Sequence, residues 1–231
     1  MKRYLFVADL HGNYPATLAL ERQLPAIRAD EIWFLGDAVG KGPSNAETCD
    51  WVRAHCDHFV GGNWDYGIGG KEFPADGFYW DQLGPERLAF LRSLPREAEL
   101  TLSGLRFRLF HGRPVTPLLK GSDASDILQT TLRTERGVFD AAIFADSHRP
   151  FVRSLNPGYV LNTGSVGVSM GVTRCHALAV DAGDSAGDPL FFTVLSIPYD
   201  REAAVADALA APGLPRRDAY IREIRTGVYS R

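Results

Sequence analysis

Hydrophobic residues fall in short unbroken runs along the first third of the chain, and each run stops at a polar residue able to ligate or react. Tyr4 to Ala8 is apolar and stops at Asp9. Ile32 to Leu35 stops at Gly36-Asp37, and Phe59-Val60 stops at Gly61-Gly62-Asn63. A run without alternation predicts a strand buried on both faces. Between the runs, Pro15 to Ile27 carries Leu18, Leu20 and Leu24 at helical spacing, and Ser44 is placed to cap a helix through Trp51 and Val52. Strand alternating with helix predicts an α/β layout with parallel pairing here.

The remainder is less regular. Residues 64–82 mix glycine, aspartate and aromatics and read as a long surface excursion, in which Phe73, Phe78, Tyr79 and Trp80 form either a lid or core packing. Pro85 to Leu94 predicts a short helix. Glu99–Leu102 and Arg106–Phe110 predict a hairpin turning at Ser103-Gly104. Asp126 to Leu132 predicts a helix. Strands follow at Ala141–Phe144, Tyr159–Leu161, Ala177–Val180 and Leu190–Leu195, and helices at Arg201–Ala211 and Asp218–Ile224. No repeat or linker divides the chain, so residues 1–231 read as a single domain with C-terminal helices from about residue 200.

The recurring feature is chemical. Asp9 and His11 follow the first strand, Asp37 the second and Asn63 the third; His111 follows Phe110, and Asp146 with His148 follows Phe144. In α/β folds, ligands gather at the carboxyl ends of strands, so these side chains are candidates to meet. Carboxylate, imidazole and amide oxygen form a mixed O/N shell, which suits Mn, Fe or Zn better than Ca. Taken alone, Asp9-x-His11 reads as an Asx turn; a cap on the following helix is the lesser reading of Asp37, because Gly36-Asp37 directly follows a buried run. His55 and His58, near a helix end, read as structural. Arg113, Arg149 and Lys41 flank the motifs as candidates to bind phosphate.

Asp9-Leu10-His11-Gly12-Asn13, Gly36-Asp37-Ala38-Val39-Gly40-Lys41-Gly42-Pro43, Gly62-Asn63-Trp64-Asp65, His111-Gly112 and Asn162-Thr163-Gly164-Ser165-Val166-Gly167 stand in the order found in calcineurin-like metallophosphoesterases. The chain resembles their small bacterial and archaeal branch of phosphodiesterases and diadenosine-tetraphosphatase-like proteins, over about residues 4 to 181. The resemblance implies a two-sheet β-sandwich flanked by helices. It implies a first metal held by Asp9, His11, Asp37 and His148, with Asp37 bridging to a second held by Asn63, His111 and Asp146. A hydroxide between the metals would attack phosphorus, with Asp37, Asn63 and Asp65 as the catalytic set and Trp64, Arg113 and Arg149 facing substrate. Two divalent ions are implied, Mn²⁺ foremost, with Fe, Zn, Ni or Mg as other ions such a site accepts.

Two residues depart from that pattern. The family has Gly-His-x-His where this chain has Ala145-Asp146-Ser147-His148, so an oxygen donor replaces an imidazole and harder ions are favoured at the second position. Trp64 stands where the family has a histidine that protonates the leaving oxygen. A binding protein with little turnover is therefore the rival reading to a phosphoesterase, and a protein phosphatase a third.

Charge and composition narrow the partners. The formal net charge is −3, which gives no support to a nucleic-acid binder. The three cysteines, Cys49, Cys56 and Cys175, form no CxxC pair, which argues for inert thiols in a cytoplasmic protein. No apolar stretch is long enough to span a membrane. The expected partner is a small phosphate ester or nucleotide. The apolar region after Leu195 leaves a homo-oligomer open.

Overall fold

The computed structural model describes residues 1–230. In chain order it contains β1 (Lys2–Val7), α1 (Tyr14–Glu21), α2 (Leu24–Ile27), β2 (Glu31–Leu35), α3 (Asn45–His55), β3 (His58–Val60), α4 (Asn63–Gly69) and α5 (Gly77–Ser93). Then come β4 (Glu97–Leu102), β5 (Leu105–Phe110), α6 (Ser125–Gln129), β6 (Arg133–Thr134), β7 (Gly137–Val138), β8 (Ala141–Phe144), β9 (Phe151–Ser154) and β10 (Tyr159–Asn162). Last are β11 (Cys175–Ala182), β12 (Leu190–Ile197), α7 (Arg201–Leu209) and α8 (Arg217–Thr226).

Two five-stranded sheets carry the fold, ordered β12-β11-β1-β2-β3 and β4-β5-β8-β10-β9. Strands β1, β2 and β3 are mutually parallel, as are β5, β8 and β10. Phe6, Trp33, Leu35 and Leu178 of the first sheet pack with Phe107, Leu109, Ile143 and Leu161 of the second. On the other face of β1 and β2, Leu5, Val7 and Phe34 pack with Leu20, Val52, Leu91, Val205 and Ile224 from the helices. Phe110, Phe144 and Val160 meet Leu119, Leu128 and Leu132 on the outside of the second sheet. The architecture is therefore helices, sheet, sheet, helices. Adjacent residues of β1 enter different cores, which is why that run is apolar throughout.

Several local expectations need correction. The helix drawn from Pro15 to Ile27 is split into α1 and α2, with Pro25 at the start of the second. Ser44 stands at the N-cap of α3, but its side chain makes no capping bond; its N–H donates to the Gly12 carbonyl instead. The supposed surface excursion is mostly helical: α4, a 3₁₀ turn at Pro74–Asp76, and α5. Helix α5 is broken at Gly84, whose φ is +65°. Tyr79 and Leu83 are buried on its inner face, so tertiary packing outweighs a composition poor in helix formers. The hairpin β4–β5 turns at Ser103-Gly104 as expected, both residues having positive φ.

Candidate metal centre

Six parallel strands from the two sheets end on one side of the sandwich, and the motifs follow those ends. Asp9 and His11 leave β1, Asp37 leaves β2, Asn63 starts α4 after β3, His111 leaves β5, and Asp146 and His148 leave β8. Asp9, His11, Asp37, His111, Asp146 and His148 are buried, and Asn63 is half-buried. Asp9, His11, Asp37, Asp146 and His148 all have positive φ, between 48° and 62°. Left-handed backbone costs a non-glycine residue about 1–2 kcal/mol, so this clustering marks local strain held by the surrounding fold.

The segment after β10 supplies part of that hold. The Ser165 hydroxyl donates to the Asp9 carbonyl at 2.8 Å, and the Gly167 N–H donates to the same carbonyl at 2.9 Å. The Asn162 amide donates to the Ala145 carbonyl at 2.6 Å, and the Met170 N–H donates to the His148 carbonyl at 3.0 Å. The Asn-Thr-Gly-Ser motif thus acts as a buckle on the loops that carry the candidate ligands.

Imidazole orientation decides what these loops hold. His11 Nδ1 donates to the Val39 carbonyl at 3.1 Å, and His148 Nδ1 donates to the Val168 carbonyl at 2.6 Å. A carbonyl only accepts, so both protons sit on Nδ1 and both Nε2 atoms present lone pairs. Those Nε2 atoms lie 3.2 Å apart. Burial, reinforced for His11 by His148 and for His148 by Lys41, holds both histidines below their ordinary range, His148 at about 3. The rings are stacked with their planes 28° apart, and two neutral imidazoles with lone pairs this close repel unless a cation takes both. Asp9 Oδ1 lies 3.5 Å from His148 Nε2 and 3.7 Å from His11 Nε2 and completes that group.

A second group forms beside it. His111 Nδ1 donates to the Leu35 carbonyl at 2.7 Å, which leaves Nε2 facing Asp37 Oδ2 at 3.2 Å and Asp9 Oδ1 at 3.8 Å. Asp9, Asp37 and His111 form the second cluster with ligating atoms mutually within 4.8 Å. Both Asp9 oxygens, Asn63 Oδ1 and His111 Nε2 are buried with no hydrogen-bond partner. Burial drives the Asp9 carboxyl well above its usual range, with Asp37 and Asp146 adding to the push and His111 opposing it. Burial opposes charge on His111, yet Asp37, Asp9 and Asp146 together raise it well above the ordinary imidazole value. Orphaned oxygens beside an orphaned nitrogen, with the His11 and His148 lone pairs next to them, are the donor set of a mixed O/N cation site, so the residues fit divalent metals.

The other expected residues fall in distinct places. Asp65 accepts from the N–H groups of Asp37 at 2.7 Å, Ala38 at 2.9 Å and Gly62 at 2.9 Å. Its carboxylate is taken up by these backbone N–H groups, which ties the loop carrying Asp37 to the start of α4. Burial and the neighbouring Asp37 charge push it to about 7. Asp146 does reach the cluster, with Oδ1 4.0 Å from His111 Nε2, but both its oxygens are engaged by Arg113 at 2.7–3.1 Å. Asp146 and Arg113 are thus paired with each other, while the Asp146 oxygens keep further lone pairs and the Arg113 side chain stays 48% exposed. Arg149 is exposed at the rim.

The Trp64 backbone N–H donates to Asp37 Oδ1 at 2.9 Å, and its indole stands edge-on to His11 and to Tyr79. Of the suspected aromatic lid, Tyr79 is core, Phe78 packs on Tyr79, and Phe73 lies exposed at the cavity. His55 stacks on Trp51 and His58 on Trp33, in structural roles. A cavity of about 720 Å³ opens beside Asp37, Asn63, Trp64 and His148, and its far wall comes from α8 and the tail, through Tyr220, Glu223 and Tyr229.

The model of the calcineurin-like phosphoesterase superfamily domain matches residues 2–184. The chain belongs to the calcineurin-like phosphoesterase superfamily. This phosphoesterase is similar to the uncharacterized protein MJ0912 of Methanocaldococcus jannaschii, at 28% identity over 169 residues, which is 69% of this chain and 68% of that protein. A crystal structure of a metallophosphoesterase from Sphaerobacter thermophilus is 25% identical, with a TM-score of 0.76 over 98% of this chain and 99% of that one. The hypothetical protein PH1004 of Pyrococcus horikoshii shares the fold at 19% identity, with a TM-score of 0.80 over the whole of both chains. The family makes the phosphoesterase a metal-dependent hydrolase. The family match ends before β12, so the helical wall of the cavity lies beyond it. Glu223 belongs to none of the sequence motifs. Its one local signal is a carboxylate beside Tyr220 and Ile224 on the buried stripe of α8.

Proposed function

We propose that the chain hydrolyses small phosphate esters, phosphodiesters or nucleotide polyphosphates among them, with two divalent cations held side by side. Bound there, the cations supply Lewis acidity and an activated water at neutral pH. Asp9, His11 and His148 hold one. Asp37, Asn63 and His111 hold the other, and Asp37 Oδ2, 3.2 Å from His111 and 3.6 Å from His11, reaches both groups. Asp65 fixes the Asp37 backbone. Arg149 and the solvent side of Arg113 draw the substrate's negative charge toward the cavity.

The observation that carries this reading is the 3.2 Å approach of the His11 and His148 Nε2 atoms, whose repulsion a cation relieves. Mn²⁺ is the ion we favour, with Fe, Zn, Ni or Mg as alternatives. Cys49, Cys56 and Cys175 are buried free thiols, which supports a cytoplasmic setting. Among the described residues, no helix is long and apolar enough to cross a membrane.

The test is hydrolysis of bis(p-nitrophenyl) phosphate by metal-stripped protein reloaded with each ion. Activity with Mn²⁺ that disappears in Asp37→Asn, with two anomalous scatterers in crystals of the loaded protein, supports the proposal. One bound ion, or none, refutes the dinuclear site.

A further inference from the structure

Trp64, directly after Asn63, brings an indole to the cavity, and the loop that follows β2 brings a cation to the same cavity. Lys41 follows Asp37 by four residues and has φ +58°. Its ammonium donates to Glu223 Oε2 at 2.9 Å, and the two side chains are only 14% and 3% exposed. Glu223 Oε1 accepts from the Ser230 N–H at 3.0 Å, and the Tyr229 ring lies 5.2 Å from Lys41 Nζ. Helix α8 and the tail thus pin the ammonium from one side, while Lys41 lines the cavity with Asp37, Asn63, Trp64 and His148. Its charge acts on Asp9, His11 and His148.

The cavity's other cations differ. Arg113, like Lys41, is paired with a carboxylate, but its side chain is 48% exposed against 14% for Lys41, and Lys120, Arg149 and Arg216 are exposed. A cation held in a partly dry site acts more strongly on developing charge than a hydrated one.

We propose that Lys41, positioned by Glu223, contacts the departing oxygen of the ester and stabilises its developing charge in place of a proton donor; this rests on the phosphoesterase reading above. Water oxygen bonds to phosphorus and one of its protons passes to solvent, the bond to the leaving oxygen breaks, and the electron pair stays on that oxygen. The ammonium donates a hydrogen bond and keeps its protons. The leaving group takes its proton from solvent after departure. Lys41 is then a catalytic residue, and Glu223 a positioning residue.

The experiment compares diphenyl phosphate, with the more basic leaving group, and bis(p-nitrophenyl) phosphate, using full-length Mn²⁺-loaded protein. Lys41→Met is expected to lower kcat/KM about 100-fold on the first and less than about threefold on the second. Lys41→Arg is expected to retain most activity on both. Affinity for inorganic phosphate, measured by calorimetry, is expected to stay within about threefold of wild type, since phosphate carries no leaving group. Glu223→Gln is expected to show the same bias at smaller size, chiefly in kcat, and carries the test if Lys41→Met does not fold. Equal losses on the two esters, or a phosphate affinity that falls in step with rate, overturns the role of Lys41 and leaves the phosphoesterase standing. A wild type inactive on both esters with every metal overturns both.

Discussion

The indole of Trp64 fills the space that a side chain on Gly40 would need: an added methyl carbon would stand 2.7 Å from Cδ2 and closer still to Cε3. Gly40 also has φ +87°, which disfavours any other residue. Gly40→Ala is expected to destabilise the protein by about 1–3 kcal/mol through overpacking alone, read from the denaturant midpoint. Adding Trp64→Ala is expected to recover part of that loss. A double mutant as unstable as the sum of the single changes would show that the two residues do not press on each other.

Asp65 holds three backbone N–H groups with one carboxylate. Asp65→Asn turns an amide toward donors that need an acceptor, which is expected to cost about 2–3 kcal/mol. The Asp37 loop loosens with it, so Mn²⁺ affinity is expected to fall about 10–100-fold. Calorimetric titration of the variant checks this; unchanged affinity would leave Asp65 without influence on the cation site.

Metal loading and protonation compete at His111. Without metal, Asp37, Asp9 and Asp146 hold it charged despite burial, above its ordinary value. A raised histidine contributes stability that is fully present below the ordinary imidazole range and is lost as pH rises through the raised value. A cation takes the place of that proton. Mn²⁺ affinity is therefore expected to strengthen as pH rises from 6 to 8, with proton release on binding. Calorimetry in buffers of different ionisation enthalpy measures the release; a buffer-independent heat would contradict it.

Asp146 is bound twice by Arg113. Removing the arginine frees an oxygen 4.0 Å from His111 Nε2. Arg113→Met is thus expected to strengthen binding of hard ions such as Mn²⁺ and Mg²⁺, while Asp146→His is expected to move preference toward Zn²⁺. Metal content after growth in mixed ions reads both. Identical content in wild type and both variants would place Asp146 outside the metal's reach.

What the sequence determined was the parts and their order. Apolar runs that stop at Asp9, Asp37 and Asn63 are local facts, set by strands buried on both faces and by loops at their carboxyl ends. The hairpin at Ser103-Gly104 and most helices are equally local. Tertiary structure alone decided how those parts meet. The approach of His11 to His148 spans 137 residues, and the bond from Lys41 to Glu223 spans 182. The capture of Asp146 by Arg113 depends on neighbouring strand ends lying side by side. Side-chain pairing across such distances leaves no periodic trace, because it is set by where the sheets and α8 pack and not by the preferences of any one segment.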